Sequence, residues 1–168
     1  MVKKIQALKA KKGFTLVELI VVIAIIGVLA AILIPTLSGV IESSRKRSAE
    51  STCQSLQNLA KTFSSTVMSK KGELATSTSE VDMDEDGYSS TTLQAYIGRQ
   101  IPELLSSSTK GCKITLTNGN VTEVIYTEGA FTAKWDSDNG MGDGAVKNAS
   151  YSVGAGISIT SSGGDAAT

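Results

Sequence analysis

From Phe14 to Ile34 the chain runs for 21 residues with only two polar side chains, Thr15 and Glu18. A bilayer is spanned by about 20 apolar residues in a helix, whereas the apolar core of a secretory signal is only about 7–15 residues long. The run therefore predicts a membrane helix before any other element is considered. One acid inside such a segment costs about 2.5 kcal/mol or more unless it finds a partner, so Glu18 is a candidate functional residue by position alone. Ahead of the run stand Lys3, Lys4, Lys9, Lys11 and Lys12 with no acid among them, which predicts a cytoplasmic N-terminus. Arg45, Lys46 and Arg47 lie beyond the span, but they are fewer and are flanked by Glu42 and Glu50.

The junction itself reads Gly13-Phe14-Thr15-Leu16-Val17-Glu18. This hexapeptide resembles the processing site of type IV pilins and pseudopilins. The resemblance implies a basic leader, residues 1–13, removed by a prepilin peptidase that cuts after Gly13, and N-methylation of the new Phe14 amine. It implies that Glu18 pairs with the N-terminal amine of a neighbouring subunit in a helical filament. Gly27 and Pro35 stand where family members carry helix-weakening residues, and the physical reason is general. Proline removes a backbone donor and clashes with the preceding turn, and glycine costs about 1 kcal/mol of helix stability. The implied partners are further copies of the chain in a homopolymer, the prepilin peptidase/methyltransferase, an inner-membrane assembly platform, and the membrane before assembly. A plain membrane anchor matches the length of the run but does not predict a Gly-Phe boundary followed by glutamate four residues on.

Formal charge is zero, from 16 basic and 16 acidic residues. Loss of the five leader lysines leaves 11 basic against 16 acidic, a net charge near −5. That disfavours general nucleic-acid binding, which needs clustered Lys and Arg, and suits an exported soluble surface. After the membrane and assembly segment, residues 14–38, the remaining 39–168 suffice for one small domain. Ala49, Cys53, Leu56, Ala60, Phe63 and Val67 recur at intervals of three and four, with polar residues between them, which predicts that the helix continues to about Lys71. Lys70, Lys71 and Gly72 are its stop signal. The expected element is one long kinked helix, its first half transmembrane and its second half packed on a sheet.

An acidic loop, residues 72–90, follows, and Thr91 to Gly98 reads as a short helix. Strand signals occupy about 110–160. Lys110 to Thr117 alternates with Cys112, Ile114 and Leu116 on one face, Asn118-Gly119 is a hairpin turn signal, and Val121 to Thr127 returns. Ala130 to Trp135 continues the pattern with Phe131, Ala133 and Trp135 on one face, and a fourth strand is expected near Tyr151–Val153 or Ile157–Ile159. Ser161 to Thr168, small and polar, reads as a disordered tail. The expected class is α+β, a long helix across an antiparallel sheet, as the pilin resemblance also implies.

Cys53 lies on the helix stripe and Cys112 on the inward strand face. Either they form a disulfide, worth about 4 kcal/mol in the loop-entropy model in an exported domain, or they are buried thiols acting as small hydrophobes. Asp82, Asp84 and Asp86 with Gly87 have the alternation of a calcium loop. The twelfth loop position, however, is Leu93, where the motif supplies a bidentate Glu. A weak calcium site and a solvated turn therefore both remain, and no other cofactor is expected. Asp136, Asp138 and Asp143 form a weaker acidic loop. With no histidine, Ser-His and Cys-His chemistry is excluded, and no phosphate loop or thiolate metal cluster is present. The reading is of a non-enzymatic filament subunit, held in the cell membrane as a precursor and then displayed at the cell surface, serving adhesion, motility or DNA uptake. The alternative is a pseudopilin of a type II secretion or competence system.

Overall fold

A single helix carries the chain out of its apolar run. In the computed structural model, which describes residues 13–83, 90–142 and 144–162, α1 spans Leu16–Lys71, 56 residues. The chain divides into two compact units at Glu42/Ser43, and α1 contributes to both. In the first unit no described residue is buried. Leu, Ile and Val side chains are exposed around the whole circumference, so the segment needs lipid or other apolar helices around it. α1 continues through Gly27 and Pro35. Near the proline, the Thr36 hydroxyl donates to the Leu33 carbonyl (2.9 Å) and the Ser38 hydroxyl to that of Ile34 (3.3 Å).

The second unit is built on the other half of α1. Ala49, Cys53, Leu56, Ala60, Phe63 and Val67 are fully buried, the same stripe that the 3.6-residue period predicts. Burying side chains the size of Leu56, Phe63 and Val67 contributes about 1.5–3 kcal/mol each. Lys70 and Lys71 occupy the last turn, and Gly72, with φ of 70°, closes it by donating to the Met68 carbonyl at 2.9 Å.

Beyond α1 come β1 (Glu80–Asp82) and β2 (Ser90–Thr92), a small antiparallel pair. Two short helices follow, α2 (Leu93–Gln100) and α3 (Glu103–Ser106). The sheet comprises β3 (Lys110–Thr117), β4 (Asn120–Glu128), β5 (Phe131–Asp136), β6 (Val146–Lys147) and β7 (Gly156–Ser162), in the order β6-β5-β4-β3-β7. Asn118 and Gly119, both at positive φ (49° and 74°), make the tight β3–β4 hairpin. Cys112, Ile114, Leu116, Val124, Tyr126 and Ala133 face α1 and complete the core. The class is α+β, a long N-terminal helix on a sheet dominated by antiparallel pairs.

Three features depart from the sequence expectations. The fourth long strand is 156–162, and it pairs parallel with β3, not antiparallel. To arrive there the chain must cross from the β6 edge to the opposite edge. It does so over the face turned away from α1, where Val153 N–H donates to the Thr127 hydroxyl (3.0 Å) and Gly111 lies beneath Gly154 and Ala155. Ser161 and Ser162, assigned above to a disordered tail, are strand residues paired with Leu116 and Thr117, and 163–168 lie outside the described residues. Finally, the short helix begins two residues later than predicted, because Thr92 is its cap and accepts from Ala95 N–H at 3.3 Å. The β1–β2 pair, α3 and β6 have no strong sequence signal.

Candidate functional site

The N-terminal junction is built by a helix start. Thr15 precedes α1 and Glu18 stands in its first turn. The Glu18 backbone N–H donates to the Thr15 hydroxyl oxygen (3.2 Å). In return, the Thr15 backbone N–H and the Thr15 hydroxyl both donate to Glu18 Oε2, each at 2.8 Å. This is a capping box, the reciprocal arrangement that satisfies donors left over at a helix start. The Thr-x-x-Glu spacing of a capping box stands in the sequence at Thr15–Glu18. The box holds one carboxylate oxygen in place, while Oε1 accepts no hydrogen bond among the described residues. Phe14 is 84% exposed, and among the described residues nothing comes within 4 Å of a Cβ built on Gly13. The leader lysines, all within residues 1–12, lie outside the described residues.

The other candidate residues are dispersed. Gly27 and Pro35 lie on the exposed part of α1. Cys53 and Cys112 are separate, buried thiols. The Cys53 thiol donates to the carbonyls of Val124 (3.5 Å) and Ala133 (3.8 Å), over β4 and β5, whereas Cys112 belongs to β3. Burial pushes both thiols up to about 12. Asp82 ends β1, and its backbone carbonyl accepts from Lys70 Nζ at 2.7 Å. Asp84 and Asp86 lie outside the described residues. Leu93, at the twelfth position of that acidic loop, is fully buried in the core at the head of α2. In the second acidic loop, Asp136 Oδ1 accepts from the N–H groups of Asn139 (2.7 Å) and Asp138 (3.1 Å) and from Asn139 Nδ2 (3.0 Å). Those bonds, with the Asn139 N–H foremost, hold the carboxyl below its usual range. They also fold the loop back on itself. Asp143 lies outside the described residues.

One arrangement had no sequence signal. Beside α1 in the second unit, a groove of about 750 Å³ lies between the Ser48–Thr62 face and a wall bearing Glu103, Lys110, Tyr126 and Glu128. Lys110 Nζ bonds Glu103 Oε2 and also pairs with Glu128 Oε1 at 3.3 Å. These carboxylates raise the Lys110 ammonium above its ordinary value, the Glu103 bond foremost.

Comparison with known proteins agrees with the chemistry of the junction. The family model for the prokaryotic N-terminal methylation motif matches residues 8–34. Type IV major fimbrial protein FimA of Dichelobacter nodosus is 32% identical over 114 residues, 67% of this chain and 70% of that protein. A fimbrial protein of Pseudomonas aeruginosa is 35% identical over 86 residues, 51% of this chain and 54% of its own length. Type II secretion system core protein G of Escherichia coli (strain K12) is 45% identical over 53 residues, 32% and 37% of the two chains. No solved structure gives a significant match.

Proposed function

We propose that this chain, which belongs to the type IV pilin and pseudopilin family, is a structural subunit of a type IV pilus. In this reading the leader is cut after Gly13, Phe14 is N-methylated, and the subunits polymerise through α1 into a surface filament serving adhesion, motility or DNA uptake. The membrane holds the precursor with its N-terminus in the cytoplasm, and its partners are the processing enzyme, the assembly platform and further copies of itself. The role is structural, not catalytic.

The observation that carries the proposal is the placement of Glu18. It stands in the first turn of a helix whose N-terminal stretch is otherwise exposed and apolar, with one oxygen held by Thr15 and the other open. Moving such a helix from lipid to a core of like helices changes the apolar surroundings little. Register is then specified by the charged pair of Glu18 with the Phe14 ammonium of the next subunit, because mispaired subunits leave polar groups buried alone. The 114-residue likeness to a major fimbrial protein extends well past the length of α1, which favours the pilus over the alternative. A pseudopilin of a secretion or competence system is the second reading, supported by the 53-residue likeness to core protein G. That span is shorter than α1 itself, so it speaks mainly to shared N-terminal chemistry.

Glu18→Ala tests the proposal. Membrane insertion and cleavage after Gly13 should persist, while sheared surface filaments seen by electron microscopy should be absent or greatly reduced. Normal filaments from Glu18→Ala cells would refute it, as would an N-terminus on exported protein that does not begin at Phe14.

A further inference from the structure

The groove beside α1 has the composition of a docking surface. Its helix wall presents small polar side chains, Ser48, Ser51 and Ser55 among them, which permit close approach of another chain. Its opposite wall carries two carboxylates that share one ammonium. Lys110 serves both Glu103 and Glu128, and the Glu103 side chain is still 68% exposed. Within this cluster of described residues the carboxylates therefore outnumber the ammonium by one. The chain supplies cations at the foot of the same half of α1, where Arg45, Lys46 and Arg47 are all exposed. Successive residues are about 100° apart around a helix, so the three fan across more than half of its circumference. A neighbour at nearly any rotation meets at least one of them.

We infer that the groove receives the Arg45–Arg47 segment of a second copy of this chain, with a cation of one subunit completing the Glu103–Lys110–Glu128 cluster of the next. The inference rests on the polymer reading above. If the Phe14 amine of one subunit meets Glu18 of another, the two are displaced by four residues, about 6 Å along a helix. Within the second unit the Arg45–Arg47 segment directly precedes the groove's helix wall, which begins at Ser48, so an axial offset of about four residues between parallel copies sets it level with that wall. The contact uses two different surfaces of each copy, so it propagates along a filament and does not close into a dimer.

The test uses the full chain in cells that assemble it. Glu103→Lys should lower the yield of sheared filaments several-fold while the processed subunit remains normal in the membrane fraction. Combining it with Lys46→Glu and Arg47→Glu should restore most of the yield. In a second measurement, Ser55→Cys should react with a maleimide in membrane subunits and be protected in filaments, the native cysteines being buried in both. Wild-type yield from Glu103→Lys, no recovery in the combined variant, or equal labelling of Ser55→Cys in the two forms would each overturn the inference while leaving polymerisation intact. Absence of filaments from the unaltered chain would instead remove the polymer reading together with this one.

Discussion

The crossing that delivers β7 to its place depends on one missing methyl group. A Cβ on Gly111 would lie 1.8 Å from the Gly154 carbonyl oxygen and 2.8 Å from its carbon, and real Cβ atoms do not come within 3.0 Å. The neighbouring atoms are backbone, so no rotamer change relieves the clash, and the crossing chain must lift by roughly 1 Å or more. The Val153 N–H bond to the Thr127 hydroxyl lies on the same part of the crossing, and Thr127 is itself buried against Thr132, hydroxyl to hydroxyl at 3.1 Å. Overpacking of this kind costs about 1–3 kcal/mol, and loss of the bond adds about 1 kcal/mol. Gly111→Ala should therefore destabilise the domain by about 2–4 kcal/mol. At about 4 °C per kcal/mol for a domain of this size, the melting temperature should fall by about 8–16 °C. The φ of Gly111 is not positive, so alanine there tests space alone. Gly154 provides the control: it belongs to the same contact, but a Cβ built on it meets nothing within 4 Å. Gly154→Ala should be neutral or slightly stabilising. Thermal circular dichroism on the domain from Ser43 onward measures both. Equal melting temperatures for the two variants would refute the account of the crossing.

Thr15→Val keeps the branched shape at the cap but removes the hydroxyl that serves Glu18. Helix-start stability should fall by about 1 kcal/mol, with cleavage retained and filament yield reduced, and wild-type yield would show that the capping box is dispensable. The two thiols, ordinarily at 9.0 and pushed up to about 12 by burial, keep their protons in the folded state after the unfolded chain has lost them. Stability should therefore fall as pH rises above 9, by about 1.4 kcal/mol per pH unit for each thiol, read as the urea midpoint across that window. A disulfide between Cys53 and Cys112 would abolish the slope and resist alkylation without reductant, so a flat midpoint with both thiols labelled would refute the burial argument. Because Leu93 fills the core where a bidentate acid would stand, calorimetry should find at most weak calcium binding at the acidic turn. Sub-micromolar affinity lost in Asp84→Ala would reverse that expectation.

Signals carried by neighbouring residues were legible in the sequence. The apolar run, the Gly13–Glu18 hexapeptide, the helical stripe from Ala49 to Val67 and the Asn118-Gly119 turn each depend on spacing within a few residues. The structure has an element at each of these places. Relations set by distant residues were not legible. The alternation of Ile157 and Ile159 marks a strand, but nothing in it says that the partner is β3 or that the pairing is parallel. Gly111 reads as a weak strand residue until the chain crossing above it is seen. The Glu50 carboxylate accepts the Ala145 N–H at 2.9 Å across 95 positions of sequence, and the groove needs α1, α3, β3 and β4 together. The capping box is a different case: Thr15-x-x-Glu18 is a local pattern, but inside an apolar run a lone acid reads first as a charge in want of a partner.

The two roles proposed for Glu18 would make opposing demands. Before assembly the carboxylate must be tolerated within an apolar helix, and a fully bare charge there is costly. For assembly it must still want a partner, and a carboxylate with every lone pair satisfied would gain little from an ammonium. The capping box meets both demands. Thr15 supplies two donors to Oε2, the adjoining helix start adds a favourable dipole, and on the proposed reading Oε1 would be left for the incoming amine. The arrangement also survives the proposed cleavage. A cut after Gly13 makes Phe14 the N-terminus, so Thr15 becomes the second residue and keeps both its peptide N–H and its hydroxyl. A cut one residue later would turn that peptide N–H into the ammonium itself, which would then sit on the Glu18 of its own chain. The donor meant for a neighbour would be consumed within the subunit. On this argument the position of the cut matters as much as its occurrence, because it keeps the free amine one residue beyond the reach of the box.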